Sequence, residues 1–156
     1  MSHSSIAVLI GLARGCHPGP TAVVTLIAGM LTMAGGASWV VSIVTVITVL
    51  SGQLSIGWCN DWLDATRDAM RNDKPTAAGA ISATTLRMAA FVALGLTVLL
   101  SVWVSWPYGL WQLVLVAAGW LYNVGLKATS FSPVPYAVGF GALPVYALTM
   151  SGAEVE

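Results

Sequence analysis

Asn60-Asp61-Trp62-Leu63-Asp64-Ala65-Thr66-Arg67-Asp68, continued by Arg71, Asp73, Lys74 and Pro75, is the stretch on which the reading of this chain turns. All four aspartates of the sequence fall within it, although the chain around it is overwhelmingly apolar. At about 100° per residue, an α-helix gathers Asp61, Asp64 and Asp68 into an arc of roughly 60° along about 10 Å of axis. Such a stripe is an all-oxygen surface of the kind that hard cations such as Mg²⁺ select. Mg²⁺ held this way shares its coordination with substrate phosphates. Two carboxylates about 6 Å apart repel by roughly 3 kcal/mol at an effective dielectric near 20, equivalent to about two pKa units. Arg67 and Arg71 offset part of that repulsion, and a divalent cation offsets much more. The competing reading is a solvated, charged helix end with ion pairs one turn apart. Its place at the close of an uncharged apolar segment favours the metal.

Composition sets the surroundings of that stripe. The 156 residues are 57% hydrophobic and 8% charged, with a mean hydropathy of +0.83. A soluble domain carries about 25% charged residues, so the composition is that of a membrane protein in contact with a lipid bilayer. The formal net charge is zero, and no basic patch interleaved with aromatics occurs, which excludes nucleic acid as a partner. Cys16 and Cys59 match no metal or redox spacing and read as free thiols.

Residues 1–20 comprise a polar start, a short apolar run from Ile6 to Ala13, then Arg14 and Cys-His-Pro-Gly-Pro. A basic segment does not precede the run and an Arg follows it, which predicts an interfacial helix and not a cleaved leader. His17, next to Pro18, reads as a loop residue, since no second His stands at a useful spacing. Five apolar spans are expected at about 21–36, 39–59, 85–106, 109–127 and 134–150, most of them near the roughly 20 residues a bilayer crossing needs. Gly35-Gly36 and Pro107-Tyr108-Gly109 mark tight turns. The hydrophilic connection, 60–84, holds the aspartates.

With a cytoplasmic N-terminus, Arg14, Arg67, Arg71, Lys74, Arg87 and Lys127 all fall on or beside the cytoplasmic face. These are all the Lys and Arg residues of the chain, so the positive-inside rule sets the orientation. Trp39, Trp103, Trp106 and Trp111 are then expected at the outer interface, with Trp58, Trp62 and Trp120 at the inner one. An Asp at the bilayer midplane costs about 2.5–3.5 kcal/mol. At the inner end of the second span the aspartates meet water and headgroups instead. Gly29, Ala34, Gly35, Gly95, Gly119, Gly139 and Gly141 suit close helix packing, and equally a groove for a flat chain.

Asn60-Asp61-x-x-Asp64-x-x-x-Asp68 resembles the first aspartate-rich motif of the UbiA superfamily of intramembrane prenyltransferases. Asp73-Lys74-Pro75 with Gly79-Ala80-Ile81-Ser82 is similar to the loop that follows it, although the family more often has Arg before the Pro. Trp120-Leu121-Tyr122-Asn123-Val124-Gly125-Leu126-Lys127 and Pro135-Tyr136-Ala137-Val138-Gly139-Phe140-Gly141 resemble its fourth and fifth helices, so the likeness extends from about residue 14 onward. It implies an all-α polytopic membrane helix bundle of about five transmembrane helices, a single domain over 1–156 equal to half of a UbiA-type bundle. It also implies Mg²⁺-dependent transfer of a polyprenyl group from a polyprenyl diphosphate to an acceptor, often aromatic, within the cell membrane. Asp61, Asp64 and Asp68 would then be the catalytic metal ligands, with Asn60 assisting. Lys127 and Arg67 would clamp the diphosphate, with Arg71, Lys74 and Arg14 as further binding cations and Tyr122 facing the cavity.

One departure from the family pattern stands out. The family pairs this motif with a second aspartate-rich motif in the other half of its bundle, yet no Asp follows Asp73, and Glu154 and Glu156 do not reproduce it. The resemblance therefore implies a second half or a homo-oligomer as a partner, and weak turnover by this chain alone. The non-enzymatic alternative is an inactive truncated fragment or a helical partner subunit. CDP-alcohol phosphotransfer fits less well, because that pattern has Gly after Asp where Ala65 follows Asp64.

Overall fold

A computed structural model describes residues 5–65 and 81–152. Its helices are α1 (Ser5–Gly15), α2 (Pro18–Ala34), α3 (Trp39–Asp64), α4 (Ala83–Trp103), α5 (Gly109–Val124) and α6 (Pro133–Met150), with a 3-10 turn at Leu126–Ala128. The described residues contain no strand, and the fold is an all-α bundle. The five expected spans are α2 to α6, and their ends agree within three residues except at α3, which runs past 59 to Asp64. α1 is the helix expected ahead of the first span. By length and composition α3 and α4 can each cross a bilayer, while α2 and α5 are apolar but shorter.

Local chemistry explains several boundaries. Ser38 and Ser82 cap α3 and α4, their hydroxyls accepting from the Val41 and Thr85 amides. Pro18 starts α2 where a missing N–H costs nothing. Gly36, at φ 89°, turns the chain between α2 and α3, a conformation that glycine adopts without strain.

α3 is the central helix, packed against α2, α4 and α5 and touched by α1 and α6. Its buried side is made of small and hydroxyl residues, among them Ser42, Thr45, Thr48, Gly52 and Ser55. Their hydroxyls are satisfied within the helix, as in Thr48 Oγ1 to the Val44 carbonyl at 2.8 Å, or across to α4 through Ser51 and Thr97 at 2.8 Å. Large side chains such as Val40, Ile43 and Ile47 face outward instead. The same inversion holds for Leu26 and Met30 on α2 and for Val92 and Leu99 on α4. An apolar skin over an interior in which hydroxyls and glycines mix with Val49, Leu115, Val116 and Tyr146 suits lipid and not water.

The glycines divide between the two roles open to them. A methyl on Gly29 would meet Val46 at 2.8 Å and one on Gly119 would meet Ile56 at 2.6 Å, so both are packing positions. Gly95 and Gly141 have nothing within 4 Å of such a methyl, and Gly139 stands beside a cavity. The tryptophans divide likewise. Trp39, Trp103, Trp106 and Trp111 are exposed, at the end away from the aspartates. Trp58 and Trp120 instead turn their indole N–H inward, to the Leu12 carbonyl at 2.8 Å and Ser55 Oγ at 3.2 Å. They tie α3 to α1 and α5.

Candidate functional site

Three chain segments meet at the C-terminal end of α3: the α1–α2 junction, the last two turns of α3, and the 3-10 turn after α5. The junction is held by Gly57, where a methyl would lie 2.7 Å from the Cys16 carbonyl oxygen, so only glycine lets α3 pass this close. α5 is pinned by Asn123, whose side-chain amide donates to the Ile56 carbonyl at 2.9 Å. The N-terminal end of α4 closes in as well, since Leu86 packs where a methyl on Gly15 would stand. Arg14, Arg87 and Lys127 therefore share this end of the bundle.

The polar side chains here form a network of two adjoining sets, Lys127 with Asp64 and Asn60, and His17 with Asp61. Asp61 and Asp64 are 3% and 7% exposed, burial that leaves a carboxylate dependent on partners. Lys127 Nζ donates to both carboxylate oxygens of Asp64, each at 2.6 Å, and lies 3.3 Å from Asn60 Oδ1. His17 Nε2 lies 3.0 Å from Asp61 Oδ1 and 3.4 Å from Asn60 Nδ2. A protonated Nε2 donates to Asp61, the shorter and charge-assisted contact. Both aspartates make further contacts besides these.

The remaining expected site residues separate into two groups. Tyr122 lines the cavity described below and meets Tyr136 edge to face at 4.9 Å. Arg14 is exposed at the last turn of α1 and joins no hydrogen bond of the network among the described residues. Asp68, Arg67, Arg71 and Lys74 lie outside the described residues. Among the described residues no three His, Cys, Asp or Glu side chains form a metal-binding group.

His17 stands in the junction between α1 and α2, where a loop residue is expected, but its contact with Asp61 is not legible in the sequence. It is the N-cap of α2 at φ 53° and ψ 70°, the one left-handed non-glycine residue among those described. That conformation costs roughly 1–2 kcal/mol, and it aims the imidazole across 44 positions of sequence at Asp61. Its local sequence carries no sign of this; the pairing follows from how the α1–α2 junction crosses α3.

A cavity of about 390 Å³ opens beside the network, between α2, α3, α5 and α6. Asn60 and His17 form its polar end. From there it follows α3 through Ile56 to Gln53, two turns or about 10 Å deeper, with Leu115 and Leu143 among its walls. Tyr122, Tyr136 and Phe140 line its α5–α6 side, and Gly139 keeps it open.

The donor set bears on the cation expected from the sequence. Asp61, Asp64 and Asn60 offer carboxylate and amide oxygens at one helix end, the ligand type that Mg²⁺ takes. Their burial also gives a cation a dry setting. The residues fit Mg²⁺.

A buried acidic and cationic head above an apolar pocket, within a bundle whose skin is apolar, defines an intramembrane helical protein with its polar site at one end. A model of the UbiA prenyltransferase family matches residues 22–156, and the chain belongs to that family. It is thus a membrane-integral protein of the prenyltransferase type. Arg14 and His17 precede the matched residues. No curated protein and no solved structure gives a significant match.

Proposed function

We propose that this chain is a single membrane domain that binds a polyprenyl diphosphate and transfers its prenyl group, in a Mg²⁺-dependent reaction, to an acceptor such as an aromatic ring. The observation that carries this reading is the join between the polar sets Asp64–Lys127–Asn60 and Asp61–His17 and the apolar cavity. An amphiphile with an anionic head and an isoprenoid tail has the same polarity profile. In this reading the tail lies along Ile56, Leu115 and Leu143, and the diphosphate reaches Lys127.

Asp61, Asp64 and Asn60, with Asp68, would hold the metal, and Mg²⁺ bound there would neutralise charge on the leaving diphosphate. Lys127 would bind phosphoryl oxygens as a flexible point charge, and Arg67, Arg71, Lys74 and Arg14 would add cations around the same head. His17 holds Asp61 in place. The cavity walls exclude water from the reacting carbon, so that the prenyl group leaves with its C–O bond broken and reaches the acceptor before hydrolysis. The acceptor gives up a proton as the new bond forms. A second half or a second copy of the chain, supplying further carboxylates, belongs to this proposal, as does the runner-up reading of an inactive helical partner.

The one-sided distribution of basic residues supports a cytoplasmic position for the aspartate-rich connection at the cell membrane. One experiment tests both activity and side. Inside-out vesicles carrying the protein, given Mg²⁺ and labelled polyprenyl diphosphates of several lengths, should prenylate an aromatic acceptor, and chelation by EDTA should abolish it. Transfer only in right-side-out vesicles would reverse the orientation. Transfer in neither, with or without a co-expressed second half, would leave the inactive partner as the better reading.

A further inference from the structure

We propose that Lys127 keeps the metal position at Asp64 closed until a diphosphate arrives, so that the site takes up its cation together with the diphosphate and not before it. This rests on the prenyl diphosphate reading above and adds an order of binding to it.

Lys127 Nζ lies 2.6 Å from both Asp64 oxygens and 3.3 Å from Asn60 Oδ1. Two of the three described side chains that would hold the metal are thus already engaged by one fixed positive charge. The pair is largely out of water, with side-chain exposures of 16% for Lys127 and 10% for Asp64. A dication at Asp64 must displace the ammonium from both oxygens, since two cations sharing one carboxylate repel strongly where solvent screening is weak. Displaced with nothing to receive it, Lys127 would be a half-buried charge beside a dication, and that opposes loading by metal alone.

A diphosphate reverses the balance. Its head would enter at the Asn60 and His17 end of the cavity, next to Lys127, and it brings several acceptor oxygens and more than one negative charge. The lysine has a four-carbon flexible stem, so its ammonium can change partners while its backbone stays in the 3-10 turn. Asp64 is then released to the cation in the same event. Coupling between two ligands is reciprocal, so the metal tightens diphosphate binding by the same factor.

The test uses Mn²⁺ as a spectroscopic stand-in for Mg²⁺, its binding to the full chain in nanodiscs followed by electron paramagnetic resonance. Titrations are run alone and with a non-hydrolysable polyprenyl thiodiphosphate. The wild type should bind Mn²⁺ at least tenfold more tightly with the thiodiphosphate than without it. K127M, which keeps the stem and removes the charge, should bind Mn²⁺ alone at least tenfold more tightly than the wild type, and should lose most of the thiodiphosphate enhancement. K127R keeps the charge and should stay within threefold of the wild type; K127Q replaces K127M if the methionine variant does not fold. A wild-type enhancement combined with unchanged Mn²⁺ affinity in the neutral variants overturns the gating role and leaves the diphosphate site standing. No enhancement in the wild type overturns the diphosphate reading itself, and the gating role with it.

Discussion

Replacing Asp64 with Asn is expected to weaken Mg²⁺-dependent binding of a polyprenyl diphosphate at least tenfold, about 1.4 kcal/mol, and to destabilise the bundle by about 3 kcal/mol. Two separate losses produce these effects. The first is a carboxylate for the cation. The second is the partner of Lys127, whose ammonium contacts both Asp64 oxygens. The asparagine amide keeps one acceptor oxygen for that ammonium but no negative charge, so a largely buried cation loses its carboxylate partner. The double variant D64N/K127M separates the two. It removes the orphaned charge, so stability should recover by more than half while binding stays weak. Thermal unfolding in detergent and ligand titration read the two quantities independently. Unchanged binding in D64N would reduce Asp64 to a structural partner of Lys127.

The second large effect is expected at Gly57. Gly57→Ala puts a methyl 2.7 Å from the Cys16 carbonyl oxygen, 2.8 Å from its carbon and 2.9 Å from its Cα. All three are backbone atoms, which cannot rotate aside as a side chain would. The junction between α1 and α2 must shift, and His17, the next residue, moves with it away from Asp61. A loss of about 3 kcal/mol is expected from the overpacking, together with weakened diphosphate binding. Gly95→Ala is the matched control, because nothing lies within 4 Å of its added methyl and α4 is helical there. That change should be neutral or stabilising by up to about 1 kcal/mol. Equal stability of the two variants would show that α3 does not depend on this close approach.

Much of the fold is legible in the sequence, because a bilayer imposes long apolar runs and polar punctuation that composition reveals directly. Gly35-Gly36 announces the turn between α2 and α3, while the Ser38 and Ser82 caps emerge with the structure. Which face of α3 lies inward is harder to read. Its interior is lined by hydroxyls and glycine while Ile43 and Ile47 face out, so the usual rule that large apolar residues point inward runs backward. Trp58 and Trp120 show the same difficulty. Their indoles have the composition of an interfacial belt, yet each N–H is bonded within the bundle.

The site divides along similar lines. The register of Asp61 and Asp64 is local and follows from helix geometry, and Lys127 stands out as one of six basic residues. Their pairing is not local, because 63 positions separate Lys127 from Asp64. His17 is further from reach. Its role depends on a left-handed backbone at one residue and on Gly57 admitting the junction, and neither is encoded near the histidine.

The central claim is that the cavity beneath Asn60 receives the tail of a polyprenyl diphosphate whose head meets the aspartates. Photo-crosslinking tests it most directly, with a polyprenyl diphosphate carrying a diazirine on its second isoprene unit, incubated with the full chain in nanodiscs and mapped by mass spectrometry. The account predicts Mg²⁺-dependent adducts on cavity-lining residues such as Ile56, Leu115, Phe140 and Leu143, lost when unlabelled diphosphate competes. Adducts confined to the outward faces of α2 and α4, at residues such as Met30, Val92 and Leu99, and indifferent to Mg²⁺, would contradict it.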